Sequence, residues 1–167
     1  MKKILSLIVF ILLTAPSLAD IQVRFNEGAP KDLFTIENAS ECDFESTSLS
    51  IDLSGSPYGL IFDLTGTGAG VGVFQPFELV NGGDNLRRPP RVQDGDNLIT
   101  LELVGLKVGK TLSFTIDVDD TKKTREITVS NSELMGSKIV AKTAGERSEA
   151  SFQDNNIAAI TFQSCNS

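Results

Sequence analysis

The clearest strand pattern in the chain is LSFTIDVDD, from Leu112 to Asp120. Apolar and polar side chains alternate along it, and a period of two is typical of a β-strand with one buried face. Leu112, Phe114 and every second residue after them would point into a core. The polar residues between them, including Asp117 and Asp119, are predicted to face water.

The same alternation recurs along most of the chain, and turn-forming residues separate the runs. No long stretch has the period of a helix, and only 132–136 suggests a short one. The sequence therefore predicts an all-β fold, an immunoglobulin-like antiparallel β-sandwich formed by a single domain over residues 20–167. The other alternating residues are Phe34 and Ile36, Leu49 to Leu53, Ile99 to Leu103, Ile127 and Val129, Ile139, and Ile160 and Phe162.

Residues 1–19 have the pattern of a secretory signal peptide. Lys2 and Lys3 precede an apolar run of about ten residues, which is short for the ~20 residues that a membrane span needs. Small residues then lead to a cleavage site before Asp20. We expect an exported protein without a membrane span in its mature chain, in the periplasm, on the cell surface or in the medium.

The chain contains two cysteines, Cys42 and Cys165. Export to an oxidising compartment permits a disulfide between them, although two unpaired buried thiols are the alternative. A bridge would tie the end of the chain to an early strand.

The composition excludes several classes of function. The chain has no His, so it has neither a His-based catalytic triad nor an imidazole metal site. Its net charge of −7 disfavours nucleic acid as a partner. With no Trp and one Tyr, it has few aromatic platforms for sugars. We expect no enzymatic activity.

Acidic side chains at the ends of strands form the candidate metal site. Asp117 and Asp119 project from one face of the predicted strand about 7 Å apart, and Asp120 follows at its end. Asp94 and Asp96 form a second oxygen-rich turn. Calcium takes six to eight oxygen ligands, so these five residues could bind it. The alternative is that they are solvated acids that protect strand edges.

The glycine-rich segment from Gly66 to Gly72 does not fit a phosphate-binding loop. Such a loop is followed by a helix, whereas Val71 and Val73 continue as a strand, and no Gly-Lys-Ser/Thr follows. The segment is expected to be a flexible loop with positive φ angles or a place of close backbone approach.

A second candidate site is the stretch from Phe74 to Leu79, where the alternation breaks. Pro76 cannot donate a ladder hydrogen bond, which predicts an edge strand or a bulge. Phe74, Pro76 and Phe77 could form a docking surface for a partner by strand addition. The alternative is an edge that Pro76 and Glu78 protect from aggregation.

Several of these stretches together resemble small exported bacterial proteins called aggregation-factor core-like, after the core protein of the sponge aggregation factor. The resemblance implies calcium-dependent adhesion at the cell surface and brings no catalytic residues. It spans most of the mature domain. The matching stretches are FTIEN from Phe34, GLIFD from Gly59, GVGVFQPFELV from Gly70, LSFTIDVDD from Leu112 and REITVS from Arg125.

The expected function is therefore an exported, non-catalytic binding or adhesion module, with calcium-assisted aggregation at the cell surface or in the matrix. The partner would be a protein or a surface polysaccharide. One alternative is a calcium-independent interaction module of the periplasm or envelope that uses the edge from Phe74 to Leu79. A second alternative is a carbohydrate-binding domain.

Overall fold

Ten strands in two antiparallel sheets form nearly all of the regular structure in residues 20–29, 31–68, 70, 74–122 and 128–163, which the computed structural model describes. The strands are β1 Ile21–Asn26, β2 Asp32–Asn38, β3 Thr47–Asp52, β4 Leu60–Asp63, β5 Glu78–Asn81, β6 Leu98–Leu103, β7 Thr111–Asp120, β8 Lys138–Lys142, β9 Arg147–Ser151 and β10 Ile157–Ile160. A short helix, α1 Asn131–Leu134, and a 3₁₀ turn, Gly83–Asn85, complete the elements.

The larger sheet has six strands, in the order β10-β1-β2-β7-β4, with β5 also paired to β7. The smaller sheet has the order β6-β3-β8-β9. Every strand pair is antiparallel. The all-β antiparallel sandwich predicted from the alternating pattern is confirmed.

Aromatic side chains fill the centre of the larger sheet's inner face. Phe25, Phe34 and Phe114 lie opposite one another across β1, β2 and β7. The ring centroids are 5.0 Å apart for the first pair and 5.3 Å for the second. Phe77 adds a fourth ring 4.9 Å from Phe114. This row belongs to one continuous cluster of buried side chains from both sheets.

Strand β7 is paired along both of its sides. Its first half lies between β2 and β5, and residues 117–120 pair with β4. Because β4 and β5 lie on the side of β7 away from β2, they follow one another along the same edge. The connection between them must therefore leave that edge and return to it.

The prediction that the polar side of β7 faces water is wrong. Thr115, Asp117 and Asp119 are 9%, 4% and 2% exposed. The pattern of the strand shows which side chains share a face, but not what covers that face. For Asp119 the cover includes Gly70, which lies in the connection between β4 and β5 described below.

The region before α1 departs from the predicted strands. Val129 is buried, but it lies in a loop, and Ile127 is outside the described residues. Ser130 and Glu133 form a capping box that begins the helix. The short helix suggested by 132–136 is thus present, one residue earlier.

The segment around Cys42 lies next to the last strand of the larger sheet. The rings of Phe44 and Phe162 are 5.2 Å apart. Asn38 holds the turn that carries Cys42, since its side-chain amide donates to the carbonyl oxygens of Cys42 and Leu106 at 2.8 Å each. The described residues contain no free cysteine. Cys165 lies outside the described residues, so its pairing with Cys42 stays a prediction.

The predicted signal peptide, residues 1–19, also lies outside the described residues. Among the residues that are described, no helix is long and apolar enough to cross a membrane.

Candidate metal centre

The pairing of β4 with β7 brings three carboxylates together. Asp63, at the end of β4, lies directly opposite Asp117, so both side chains project from the same face of the sheet. Asp119 lies two residues further along that face, opposite Ile61. One carboxylate oxygen from each of Asp63, Asp117 and Asp119 lies within 4.8 Å of the other two. We call these three residues the acidic cluster.

The acidic cluster is buried and short of hydrogen bonds. Asp63 is 1% exposed, and neither of its carboxylate oxygens has a hydrogen-bond partner. Asp117 Oδ2 is also buried without a partner. Two like charges about 5 Å apart repel by roughly 3 kcal/mol at an effective dielectric constant of about 20. A buried group of this kind needs a counter-charge or a proton.

The pKa values of Asp63 and Asp117 show the same need for a counter-charge or a proton. Burial raises the pKa of Asp63 to about 7, with Asp94 and Asp119 contributing. Burial also raises the pKa of Asp117 to about 8, and the charges of Asp119 and Asp32 add to the effect. Without a cation, the cluster would therefore retain protons near neutral pH.

The connection between β4 and β5 closes at the acidic cluster. The backbone N–H of Gln75 donates to the carbonyl oxygen of Asp63 at 3.2 Å. The N–H of Asp117 donates in turn to the carbonyl oxygen of Gln75 at 3.0 Å. The two ends of the segment between Asp63 and Gln75 therefore meet beside the carboxylates, and we call its described residues, 64–68, 70 and 74, the covering loop.

Two glycines of the covering loop pack directly on carboxylates. A Cβ on Gly70 would overlap the Asp63 carboxylate and lie 2.5 Å from Asp119 Oδ2. A Cβ on Gly68 would overlap the carboxylate of Asp94, 2.6 Å from its Cγ. Neither glycine has a positive φ angle. Of the two expectations for this segment, close backbone approach is thus the correct one for these residues.

Asp94 joins the covering loop to the acidic cluster. Its Oδ1 accepts hydrogen bonds from the N–H groups of Leu64 and Thr65, at 2.7 and 2.9 Å. The bond from Leu64 is the main reason that the pKa of Asp94 is lowered, so this carboxylate stays charged. Asp94 therefore adds a fourth negative charge beside Asp63.

Asp32 is a buried acid that the sequence analysis did not single out. It lies at the start of β2, and its two oxygens accept from the N–H groups of Gly28 at 3.1 Å and Val118 at 2.9 Å. Burial raises its pKa to about 7. Its place in the sequence gave no signal for this role, because the contact with β7 spans 86 residues of sequence.

The structure separates the five acids predicted to bind metal. Asp117 and Asp119 belong to the acidic cluster, and Asp94 lies at its rim.

Asp96 instead closes its own turn, accepting from the N–H of Gln93 at 2.7 Å. Asp120 alternates onto the other face of β7, opposite Leu60, and accepts from the N–H of Lys122 at 3.2 Å. Asp63, which ends β4, takes the third place in the cluster.

The residues predicted to bind a partner differ in exposure. Phe74 is 44% exposed and packs over Gly66 at the end of the covering loop. Pro76 is exposed. Phe77 is partly buried, because its ring lies against Phe114 in the core. Phe74 and Pro76 are thus available at the surface, whereas Phe77 packs partly against the core.

The geometry suits a hard divalent cation. Every ligand atom offered is an oxygen, which is the preference of calcium and magnesium. Calcium–oxygen distances are about 2.4 Å, so two oxygens on one calcium ion are at most about 5 Å apart. The 4.8 Å limit of the acidic cluster meets that condition.

Comparison with known proteins identifies no family. No protein-family model matches the chain, and no curated protein is similar to it in sequence. Among solved structures, an inactive mutant of the GH20 exo-β-N-acetylglucosaminidase from Vibrio harveyi aligns with a TM-score of 0.35 and 15% identity. The alignment covers 80% of this chain and 17% of that one. A likeness this distant says nothing about function.

Proposed function

We propose that this protein is an exported, non-catalytic binding module of the adhesion type, and that calcium holds its acidic cluster together. The observation that carries the proposal is the set of three buried carboxylates, Asp63, Asp117 and Asp119, within 4.8 Å of one another. The predicted leader and the resemblance to aggregation-factor core-like proteins support the cellular setting.

Calcium is the favoured cation because of the number of negative charges. With Asp94, four carboxylates lie at or beside the site, and only oxygen ligands are offered. A divalent ion removes the repulsion and satisfies the unpartnered oxygens of Asp63 and Asp117 at once. Calcium is abundant outside the cell, where the predicted leader would deliver the chain, and its flexible coordination suits a site completed by a loop.

The burial of the acidic cluster supports a structural role over an enzymatic one. Glycosidases place two carboxyl groups about 5 Å or more apart, on either side of a bond that the sugar brings into an open cleft. Here Gly70 lies directly on Asp63 and Asp119, and both side chains are at most 2% exposed. A sugar cannot reach them without displacement of the covering loop.

The test is thermal unfolding of the mature chain, residues 20–167, in excess calcium and in excess chelator. Saturating calcium should raise the midpoint by about 5–10 °C, since a ligand at 100 times its Kd contributes about 2.7 kcal/mol. Asp63→Asn should remove the shift. Asp154→Asn changes the charge equally at an exposed position and should retain it. An equal calcium shift in wild type and Asp63→Asn would overturn the site.

Adhesion itself is tested with beads that carry the mature chain. Calcium should cluster the beads, chelator should disperse them, and Asp63→Asn beads should stay dispersed in both. Clustering that persists in chelator would instead favour the calcium-independent interaction module. The exposed edge of β5 is the observation that favours this second candidate.

A further inference from the structure

A groove of about 270 Å³ lies beside β5, outside the acidic cluster. Its apolar lining comes from Phe77, Leu79, Leu86 and Pro89, and Arg87 and Arg88 lie along it. An apolar floor with a cationic rim is an unusual feature for a chain with a net charge of −7. Such a groove suits an apolar side chain that is followed or preceded by carboxylates.

Strand β5 offers an open edge along this groove. It pairs with β7 on one side, and in the described part of the chain its other edge has no backbone hydrogen-bond partner. All four of its residues are exposed. Leu79 and Val80, at 44% and 59%, are among the most exposed large apolar side chains described. An open, exposed edge of this kind is a template for a further strand.

The arginines are available to a ligand. The Arg88 side chain forms neither a hydrogen bond nor an ion pair with any described residue, and among those residues the Arg87 guanidinium donates only to the hydroxyl of Ser46, at 3.2 Å. Glu78, the acid on β5 itself, is paired with Lys31 at 2.9 Å and does not compete. Arg88 also lines a neighbouring cavity of about 140 Å³ that contains Arg91 and Glu102.

We propose that the β5 edge binds an extended acidic segment of a partner protein. The segment would add a strand to β5, place an apolar side chain in the groove, and pair its carboxylates with Arg87 and Arg88. The inference deepens the proposed function and rests on it, because it names the partner of the binding module. A peptide is favoured over a polysaccharide because only a peptide can continue the backbone ladder of β5.

The probes are two blocked, fluorescently labelled octapeptides, one alternating Leu with Glu and one alternating Leu with Lys, together with an acidic oligosaccharide, oligogalacturonate. Binding to the mature chain is measured by anisotropy or calorimetry in excess calcium. The Leu-Glu peptide should bind, and the Leu-Lys peptide should not. Arg88→Glu should weaken binding by about tenfold or more, because it removes a charge-assisted hydrogen bond to the peptide carboxylates and puts a like charge in its place.

Two further variants complete the design. Lys107→Glu makes the same charge reversal on an exposed turn and should bind the peptide like wild type. Val80→Pro removes an N–H from β5 and should abolish binding, and its melting curve shows whether the fold survives. If Val80→Pro is unfolded, the comparison of Arg88→Glu with Lys107→Glu still tests whether the peptide binds in this groove.

Three outcomes would overturn the inference: no binding of the Leu-Glu peptide, equal binding of both peptides, or binding of oligogalacturonate alone. None of them affects the calcium site, which is tested separately by Asp63→Asn. Conversely, absence of calcium binding in wild type, with peptide binding intact, would overturn the calcium part of the proposed function and leave the binding module and its β5 surface standing.

Discussion

Gly70 lies directly against the carboxylate of Asp63, so closely that a Cβ on residue 70 would overlap it. Only a residue without a side chain lets the backbone of the covering loop pass this close to the carboxylates of the acidic cluster. The contact explains two features at once. The backbone covers the Asp63 carboxylate, whose oxygens lack hydrogen-bond partners, and the absence of a side chain at residue 70 is a steric requirement of the site.

Gly70→Ala should weaken calcium binding while the sandwich stays folded. The added methyl group must displace either the loop or the side chains of Asp63 and Asp119, and a displaced carboxylate no longer meets the ion. We expect a loss of about tenfold or more in calcium affinity, measured by calorimetry. Gly145→Ala is the control, since a Cβ there meets nothing within 4 Å. Equal affinity in both variants would mean that the loop does not shape the site.

The metal-free protein should lose stability as the pH rises. The folded-state pKa values of Asp63 and Asp117, about 7 and about 8, lie above the unfolded value of 3.8. Between these limits the folded chain binds more protons than the unfolded chain, so its free energy of unfolding falls with increasing pH. In chelator, the melting midpoint should be about 5 °C or more lower at pH 8.5 than at pH 5.

The matched measurements separate this effect from general charge repulsion. Asp63→Asn should make the decline shallower, whereas Asp154→Asn should leave its slope unchanged. Excess calcium should also reduce the decline, because the ion replaces the protons. A midpoint that stays level or rises from pH 5 to pH 8.5 in chelator would contradict the electrostatic account of the acidic cluster.

Phe114 should contribute far more to stability than Phe74. Phe114 contacts Phe34 and Phe77 at ring distances of 5.3 and 4.9 Å and is fully buried. Phe114→Ala should cost about 3–5 kcal/mol in denaturant unfolding, because it leaves a cavity in the core. Phe74→Ala removes a ring that is 44% exposed and should cost much less. Similar costs for the two variants would place the core of the larger sheet elsewhere.

The predicted disulfide is tested by mass and by melting. The intact oxidised mature chain should be about 2 Da lighter than the reduced chain and should have no thiol that reacts with iodoacetamide. Reduction should lower the melting midpoint by about 10 °C, because a bridge across a loop this long contributes roughly 4–5 kcal/mol. Two reactive thiols in the oxidised exported protein would rule the bridge out.

The alternating pattern was sufficient for the sheets, because period-two burial is a local property of each strand. It indicated β2, β3, β6 and β7, and the prediction of a sandwich is confirmed. It failed at Val129, where a buried apolar residue lies in a loop. Two apolar residues, Ile127 and Val129, are too short a run to establish a period, so the sequence does not distinguish a strand from a packed loop there.

The acidic cluster was only half predictable. The spacing of Asp117 and Asp119 follows from one strand and was read correctly. Asp63 joins them through strand pairing across 54 residues, and register between distant strands is not visible in a single sequence. Gly70 of the covering loop packs on Asp63 and Asp119, and the glycines of this loop signalled close approach but not the group approached.

Calorimetric titration of the mature chain with calcium is the decisive measurement for the acidic cluster. Binding of one ion per chain is expected in wild type and in Asp154→Asn, with no binding in Asp63→Asn. Absence of binding in wild type, or an unchanged isotherm in Asp63→Asn, would contradict the assignment of these three carboxylates as a calcium site.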